Sequence, residues 1–287
     1  MSERPVRPLT AKLLRSMPLP APDGGKEQRG RVLVVGGSSN VPGAALLAGT
    51  AALRAGAGKL QVATARDLVA ALAVVVPEAL VMGLPVDSQG EIARGSAALD
   101  RVLESCNAAL IGPGLQPTAA VATLVRRATK RMQGTLVLDA GALSPELRVA
   151  TGNPHILTPH AGEMAQLAQV ERSAVERDPE TFARMFAQRM RSVLVLKGAT
   201  TYIAGPDGSL WFYRSHCPGL GTSGSGDVLA GIMTGIAARG ADAQQAALWG
   251  VLLHGTAGRQ LSRSIGSLGF LAREIAAGIP GILDRLR

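Results

Sequence analysis

Residues 221–233 read GTSGSGDVLAGIM: four glycines, three small hydroxyl residues and one acid, then an apolar run. Glycines leading into an apolar stretch of this kind describe a turn that feeds a helix. The first N–H groups of a helix have no intrahelical partner, and glycine lets an anion come close to them. Capping by a serine or an acid would stabilise such a helix by about 0.5–2 kcal/mol. Capping alone, however, does not call for Gly219, Gly221 and Gly224 together. The stretch therefore reads as an anion hole formed by Gly224, Ser225 and Gly226, with Asp227 in the first helical turn. In a phosphoryl-transfer site a carboxylate there orients or deprotonates a hydroxyl. The same carboxylate could instead bind magnesium, and spacing leaves both roles open.

Working outward, short apolar runs alternate with helical patterns along most of the chain. RVLVVGG (31–37), KLQVATA (59–65), EALVMGL (78–84), NAALIGPG (107–114), TLVLDAGAL (135–143), HILTPH (155–160) and SVLVLKG (192–198) read as strands. Between them lie GAALLAGTAALRAGAG (43–58), PTAAVATLVRRATKRM (117–132) and PETFARMFAQRM (179–190), which carry helical patterns. Two hairpin-like strands are expected about PDG at 206–208, and a mostly helical tail follows. Strands at βαβ spacing predict an α/β fold, a mostly parallel sheet covered by helices on both faces. Residues 1–25 read as an N-terminal arm and 26–287 as one domain.

In such a sheet, ligands bind beyond the carboxyl ends of the strands. Five polar or glycine-rich segments fall there: GGSSNVPGA (36–44), IGPGL (111–115), LDAGA (138–142), LTPHAGE (157–163) and LKGATT (196–201). The first is neither GxGxxG nor GxxxxGK[ST], so neither dinucleotide fingerprint nor P-loop applies. Lys197, directly after an apolar strand, is a candidate phosphate partner. His160 is a candidate ligand contact, with helix capping as the plainer alternative for it and Glu163. His155 belongs at the other end of its strand, which argues against a two-histidine metal site.

Composition narrows the class. The 287 residues are 47% hydrophobic but only 3% aromatic, with 35 glycines, so close helix–sheet contacts through small residues are expected. The two cysteines, Cys106 and Cys217, share no CxxC spacing and suit a reducing compartment. Neither a secretory signal nor a membrane-spanning run is present in the sequence, and the expectation is a cytoplasmic protein. A net charge of +9 suits an anionic partner. Without aromatic platforms or nucleic-acid motifs, a small anionic substrate is preferred over nucleic acid. The arginine cluster at 124–133 reads first as a solvated helix face.

The ordered set VLVVGGSSNVPGAALLAGTAALRAGAGKLQVAT, PEAL, LIGPGL, LVLDAGAL, ILTPHAGEM, VLVLKGATTYIAGPDG and GTSGSGDVLAGIMTGIAARG resembles the ADP/ATP-dependent NAD(P)H-hydrate dehydratase family. LLHGTAG (252–258) and LAREIAAGIP (271–280) fit its ending, so the likeness runs from about residue 26 onward. GxGD alone marks the whole ribokinase-like superfamily, whereas LTPHAGEM together with LKGATT is specific. The resemblance implies a ribokinase-like fold without the lid of sugar kinases, and repair of hydrated NADH or NADPH. A nucleotide, ADP in bacterial members, phosphorylates the hydrate hydroxyl with Mg2+, and loss of phosphate restores the dihydronicotinamide.

Carried onto this chain, the resemblance assigns Ala44, Gly114 and His160 to the hydrated dinucleotide. It assigns Lys197, Gly198, Ala199, Thr200 and Thr201 to the adenine nucleotide, and Gly226 to AMP. Asp227 becomes the general base beside the substrate hydroxyl. The metal ligands are not assigned. Many members carry asparagine and GMAT ahead of the glycine run, where this chain has CPGLGTSGSGD, with Cys217 near the asparagine position and Leu220 for methionine. Family members commonly form tetramers. Many are fused to an epimerase domain, which implies a separate epimerase or spontaneous interconversion of the hydrates here. The alternatives are a small-molecule kinase of the same fold, such as a hydroxyethylthiazole kinase, or a catalytically inactive nucleotide-binding protein.

Overall fold

The computed structural model describes residues 4–21, 24–147 and 155–286. Its strands are β1 (Val6–Pro8), β2 (Arg31–Val35), β3 (Lys59–Ala65), β4 (Ala79–Leu84), β5 (Ala108–Ile111), β6 (Thr135–Leu138), β7 (Ile156–Leu157), β8 (Val193–Leu196), β9 (Thr200–Ala204) and β10 (Leu210–Arg214). They form one sheet in the order β1-β10-β9-β8-β7-β6-β5-β2-β3-β4. Among the described residues only β9 runs antiparallel to its neighbours, because the tight turn at 206–208 joins it to β10 as a hairpin. No second sheet forms a lid among the described residues.

The strands are apolar on both faces, as a sheet covered on both sides requires. Val32 and Val34 of β2 join one core, and Leu33 and Val35 join the other. The first core is closed by α2 (Gly43–Arg54), α9 (Ser225–Ala238), α10 (Ala243–Ser264) and α11 (Ala272–Leu286). The second lies under α4 (Ala97–Ser105), α5 (Ala119–Arg131), α6 (Ala161–Ala168) and α8 (Pro179–Arg189). The small residues bring α2 and α9 into backbone contact. A Cβ at Gly231 would lie 2.2 Å from the Ala48 carbonyl oxygen, and one at Gly235 2.3 Å from that of Ala52.

The lead-in read as an N-terminal arm, residues 1–25, holds two elements, β1 and α1 (Ala11–Arg15). β1 pairs in parallel with β10, and Leu14 is fully buried. The Trp249 indole N–H donates to the Met17 carbonyl at 2.9 Å, and Gln245 donates to Met17 and Pro18. Residues 1–3, 22 and 23 of the lead-in lie outside the described residues. The strand expected at 155–160 is only two residues long, and the sequence reading passed over α7 (Arg172–Arg177). No helix among the described residues is long and apolar enough to cross a membrane.

The arginine cluster faces a neighbouring helix. Arg127 pairs with Asp100 on α4, and Arg131 pairs with both Asp100 and Glu104. Arg127, which donates to the Asp100 carboxylate, holds it below the usual carboxylate range.

Candidate active site

The five segments expected at strand ends follow β2, β5, β6, β7 and β8, and these five strands are contiguous in the sheet. Segments as far apart in sequence as residues 36 and 201 therefore share one carboxyl edge. The α9 N-terminus faces this edge.

Gly224 precedes α9 with φ +85°, a left-handed conformation that a β-carbon would strain. The same β-carbon would strike Leu47 at 2.5 Å. No side chain caps this helix. Ser225 N–H donates to the Thr222 carbonyl, while the N–H groups of Gly226 and Asp227 have no partner among the described residues. The free donors of α9 are thus those of Gly226 and Asp227 rather than the expected Gly224, Ser225 and Gly226, because the Ser225 N–H is spent on the Thr222 carbonyl; they open an apolar helix with a carboxylate in its first turn. The Asp227 carboxyl is pushed up to about 7, first by burial, then by the negative charge of Asp139.

Lys197 follows β8 and reaches across the edge. Its Nζ donates to Asp139 Oδ1 at 2.7 Å and lies 3.8 Å from Glu163 Oε2. Asp139, just past β6, is buried and also accepts from the Thr158 hydroxyl at 2.7 Å. The negative charges of Asp139, Glu163 and Asp227 outweigh the desolvation of the ammonium and raise the Lys197 pKa. A Cβ at Gly226 would sit 3.4 Å from Lys197 Nζ, which places the ammonium beside the helix start.

His160 caps α6. Its Nδ1 accepts from the N–H groups of Gly162 and Glu163, and Glu163 Oε2 accepts from the His160 N–H in a reciprocal capping box. With Nδ1 an acceptor, Nε2 is the ring donor; it lies 3.6 Å from Glu163 Oε1, beyond hydrogen-bond distance, on an exposed side chain that a ligand can reach. The capping and ligand-contact readings of His160 are thus compatible, because each uses a different ring nitrogen. His155, at the opposite end of β7, is buried with no partner for Nδ1 among the described residues, and burial pushes its pKa down to about 4.

His160, Lys197, Gly198, Ala199, Thr200, Thr201, Ser225 and Gly226 line one cavity of about 1030 Å³. Ala44 and Gly114 stand apart from it, against each other: a Cβ on Gly114 would lie 2.9 Å from that of Ala44. Gly224 turns toward α2 and α11, since an added Cβ would meet Leu47 and Ala272. The sequence reading left Asp139 unassigned and missed the contact of Ser225 with His254 of α10. An acid directly after an apolar strand was the available signal for Asp139. No local signal marked His254.

This edge, with an uncapped glycine–acid helix start and a paired lysine, defines a ribokinase-like α/β protein. Residues 32–281 match the family model of the NAD(P)H-hydrate dehydratases, and the chain belongs to that family. An ADP-dependent (S)-NAD(P)H-hydrate dehydratase of Xanthomonas campestris pv. campestris is 61% identical over 281 residues, covering 98% of this chain and 97% of its own. The Bacillus subtilis ADP/ATP-dependent NAD(P)H-hydrate dehydratase, co-crystallised with ATP and Mg2+, superposes with a TM-score of 0.83 at 29% identity, covering 98% of this chain and 99% of that one. A bifunctional NAD(P)H-hydrate repair enzyme of Moorella thermoacetica is 40% identical over 98% of this chain, which spans only 54% of that longer protein.

Proposed function

We propose that this chain is an ADP-dependent (S)-NAD(P)H-hydrate dehydratase that converts hydrated NADH or NADPH and ADP into NAD(P)H, AMP and phosphate. The observation that carries the residue assignment is Asp227: a half-buried carboxyl pushed up to about 7, beside two N–H groups with no partner among the described residues. A base poised near the working pH takes a proton most effectively. Asp227 accepts the proton of the hydrate hydroxyl as the hydroxyl oxygen attacks the terminal phosphorus of the nucleotide, and AMP leaves with the electron pair of the broken P–O bond. The N–H groups of Gly226 and Asp227 bind the negative charge that builds on the transferred phosphoryl. Phosphate then leaves with its bonding electron pair, the adjacent carbon loses a proton, and the ring double bond is restored.

Nucleotide in the cavity beside Lys197–Thr201 and hydrated dinucleotide toward Ala44, Gly114 and His160 would meet at Asp227. Lys197, anchored by Asp139, supplies positive charge for the phosphates. Asp139, Glu163 and Asp227 all act on Lys197, an excess of acid around that ammonium which fits a magnesium ion carried in by the nucleotide. Mg2+ keeps water and phosphate oxygens and needs only one or two carboxylates, and Glu163, 3.8 Å from Lys197 Nζ, would hold it. When bound, it would offset the phosphate charge.

The two free cysteines suit a cytoplasmic setting. Exposed Val74, Val75 and Leu80 at the β4 edge suit a homo-oligomer, a tetramer on the family pattern. A separate epimerase would supply the usable hydrate epimer. The test is incubation with NADH hydrate, Mg2+ and either ADP or ATP. Absorbance at 340 nm recovers, faster with ADP. No recovery with either nucleotide, alongside robust phosphorylation of a small alcohol, would favour the kinase alternative.

A further inference from the structure

Ser225 and His254 form a buried pair that the scheme above does not use. Both line the cavity, and both are more than nine-tenths buried. His254 Nε2 lies 3.0 Å from Ser225 Oγ and 3.1 Å from the Ser225 carbonyl oxygen. The carbonyl can only accept. An unprotonated Nε2 would set lone pair against lone pair at that distance, so Nε2 carries the ring proton. The hydroxyl oxygen then shares this N–H as a second acceptor. Its own hydrogen is released, and Oγ has no other partner among the described residues.

We infer that His254 is a positioning residue that turns the Ser225 hydroxyl into a fixed donor for the transferred phosphoryl group, beside the backbone donors of Gly226 and Asp227. The inference rests on the phosphoryl-transfer reading of the site, though not on the hydrate being the acceptor. His254 lies on α10 and Ser225 begins α9, so the pair also ties the mouth of the anion hole to a second helix. Burial pushes the His254 pKa down to about 4, which keeps the ring neutral, as a fixed tautomer requires.

The test compares binding of ADP and AMP, each with Mg2+, by calorimetry. A hydroxyl donor to the terminal phosphate contributes to ADP but not to AMP. Ser225→Ala should weaken ADP about tenfold and leave AMP unchanged, as a hydrogen bond to a charged group implies. His254→Leu should do the same, and the double variant should be no worse than either single one. His254→Gln, which can place an amide N–H near the Nε2 position, should recover most of the ADP affinity. Nitrogen-15 NMR of the labelled wild type should show His254 protonated at Nε2 at pH 7. Equal losses for ADP and AMP, additive losses in the double variant, or an Nδ1-protonated ring would each overturn the inference. The NMR reading stands even if His254→Leu fails to fold. Failure of the repair assay in the wild type would count against the hydrate reading instead, since nucleotide binding is measured without substrate.

Discussion

At the scale of single residues, Asp227 has two opposed effects. Its carboxyl is displaced from 3.8 to about 7. As a base it works only when ionised, so kcat should rise with pH through about 7 and then level off. Folding runs the other way. The native state holds the proton more tightly than the unfolded chain between those two values, so stability falls as pH rises across that window. The ceiling on this cost is about 4 kcal/mol above pH 7. Asp227→Asn should therefore lower kcat by about 10²- to 10⁴-fold while ADP affinity is largely kept. It should also melt higher than wild type at pH 8, with the difference closing near pH 4. Kinetics and melting curves at both pH values check this. Equal turnover in the two proteins would remove the base role.

At the scale of elements, the α2–α9 contact holds the anion hole in place, because α9 begins at Ser225 and leans on α2 less than two turns later at Gly231. A β-carbon at Gly231 would meet a backbone carbonyl, which cannot swing aside as a side chain can. Gly231→Ala should cost about 1–3 kcal/mol through overpacking, whereas Gly221→Ala, with open space around it, should be close to neutral. Urea denaturation of the pair gives the comparison. Elements of this kind were largely legible in the sequence. The α2 boundaries follow from Pro42 and Gly56, and β2, β3 and β5 from apolar runs ending in turns. α7 was missed because RSAVER spans fewer than two turns, too few for a periodic pattern. The site was legible where chemistry is local: a glycine run before Asp227, a lysine after a strand. The Lys197–Asp139 pair spans 58 positions, and Ser225–His254 spans 29. Neither leaves a pattern in the chain, because both depend on the order of the strands and on how α10 folds back over the sheet.

At the scale of the whole molecule, the lead-in proves to be part of the fold. Proline and charge hid its strand, yet Pro8 is tolerated because β1 sits at the edge of the sheet. Three features make the segment structural: ladder pairing to β10, the fully buried Leu14, and the Met17 and Pro18 carbonyls that satisfy Trp249 and Gln245. It also bears on the site, since β10 leads directly into Ser215, His216 and Cys217 on the cavity wall. Leu14→Ala should cost about 2–5 kcal/mol, the usual range for a buried leucine. Deleting residues 1–21 should cost more, since it also uncovers the β10 edge and strips the partner from a buried indole N–H. The truncated chain should melt well below the full chain and bind ADP more weakly, with saturating ADP restoring part of the loss by mass action. Unchanged melting and unchanged ADP affinity after the deletion would show that the segment merely rests on the domain, and that β10 holds the cavity wall without it.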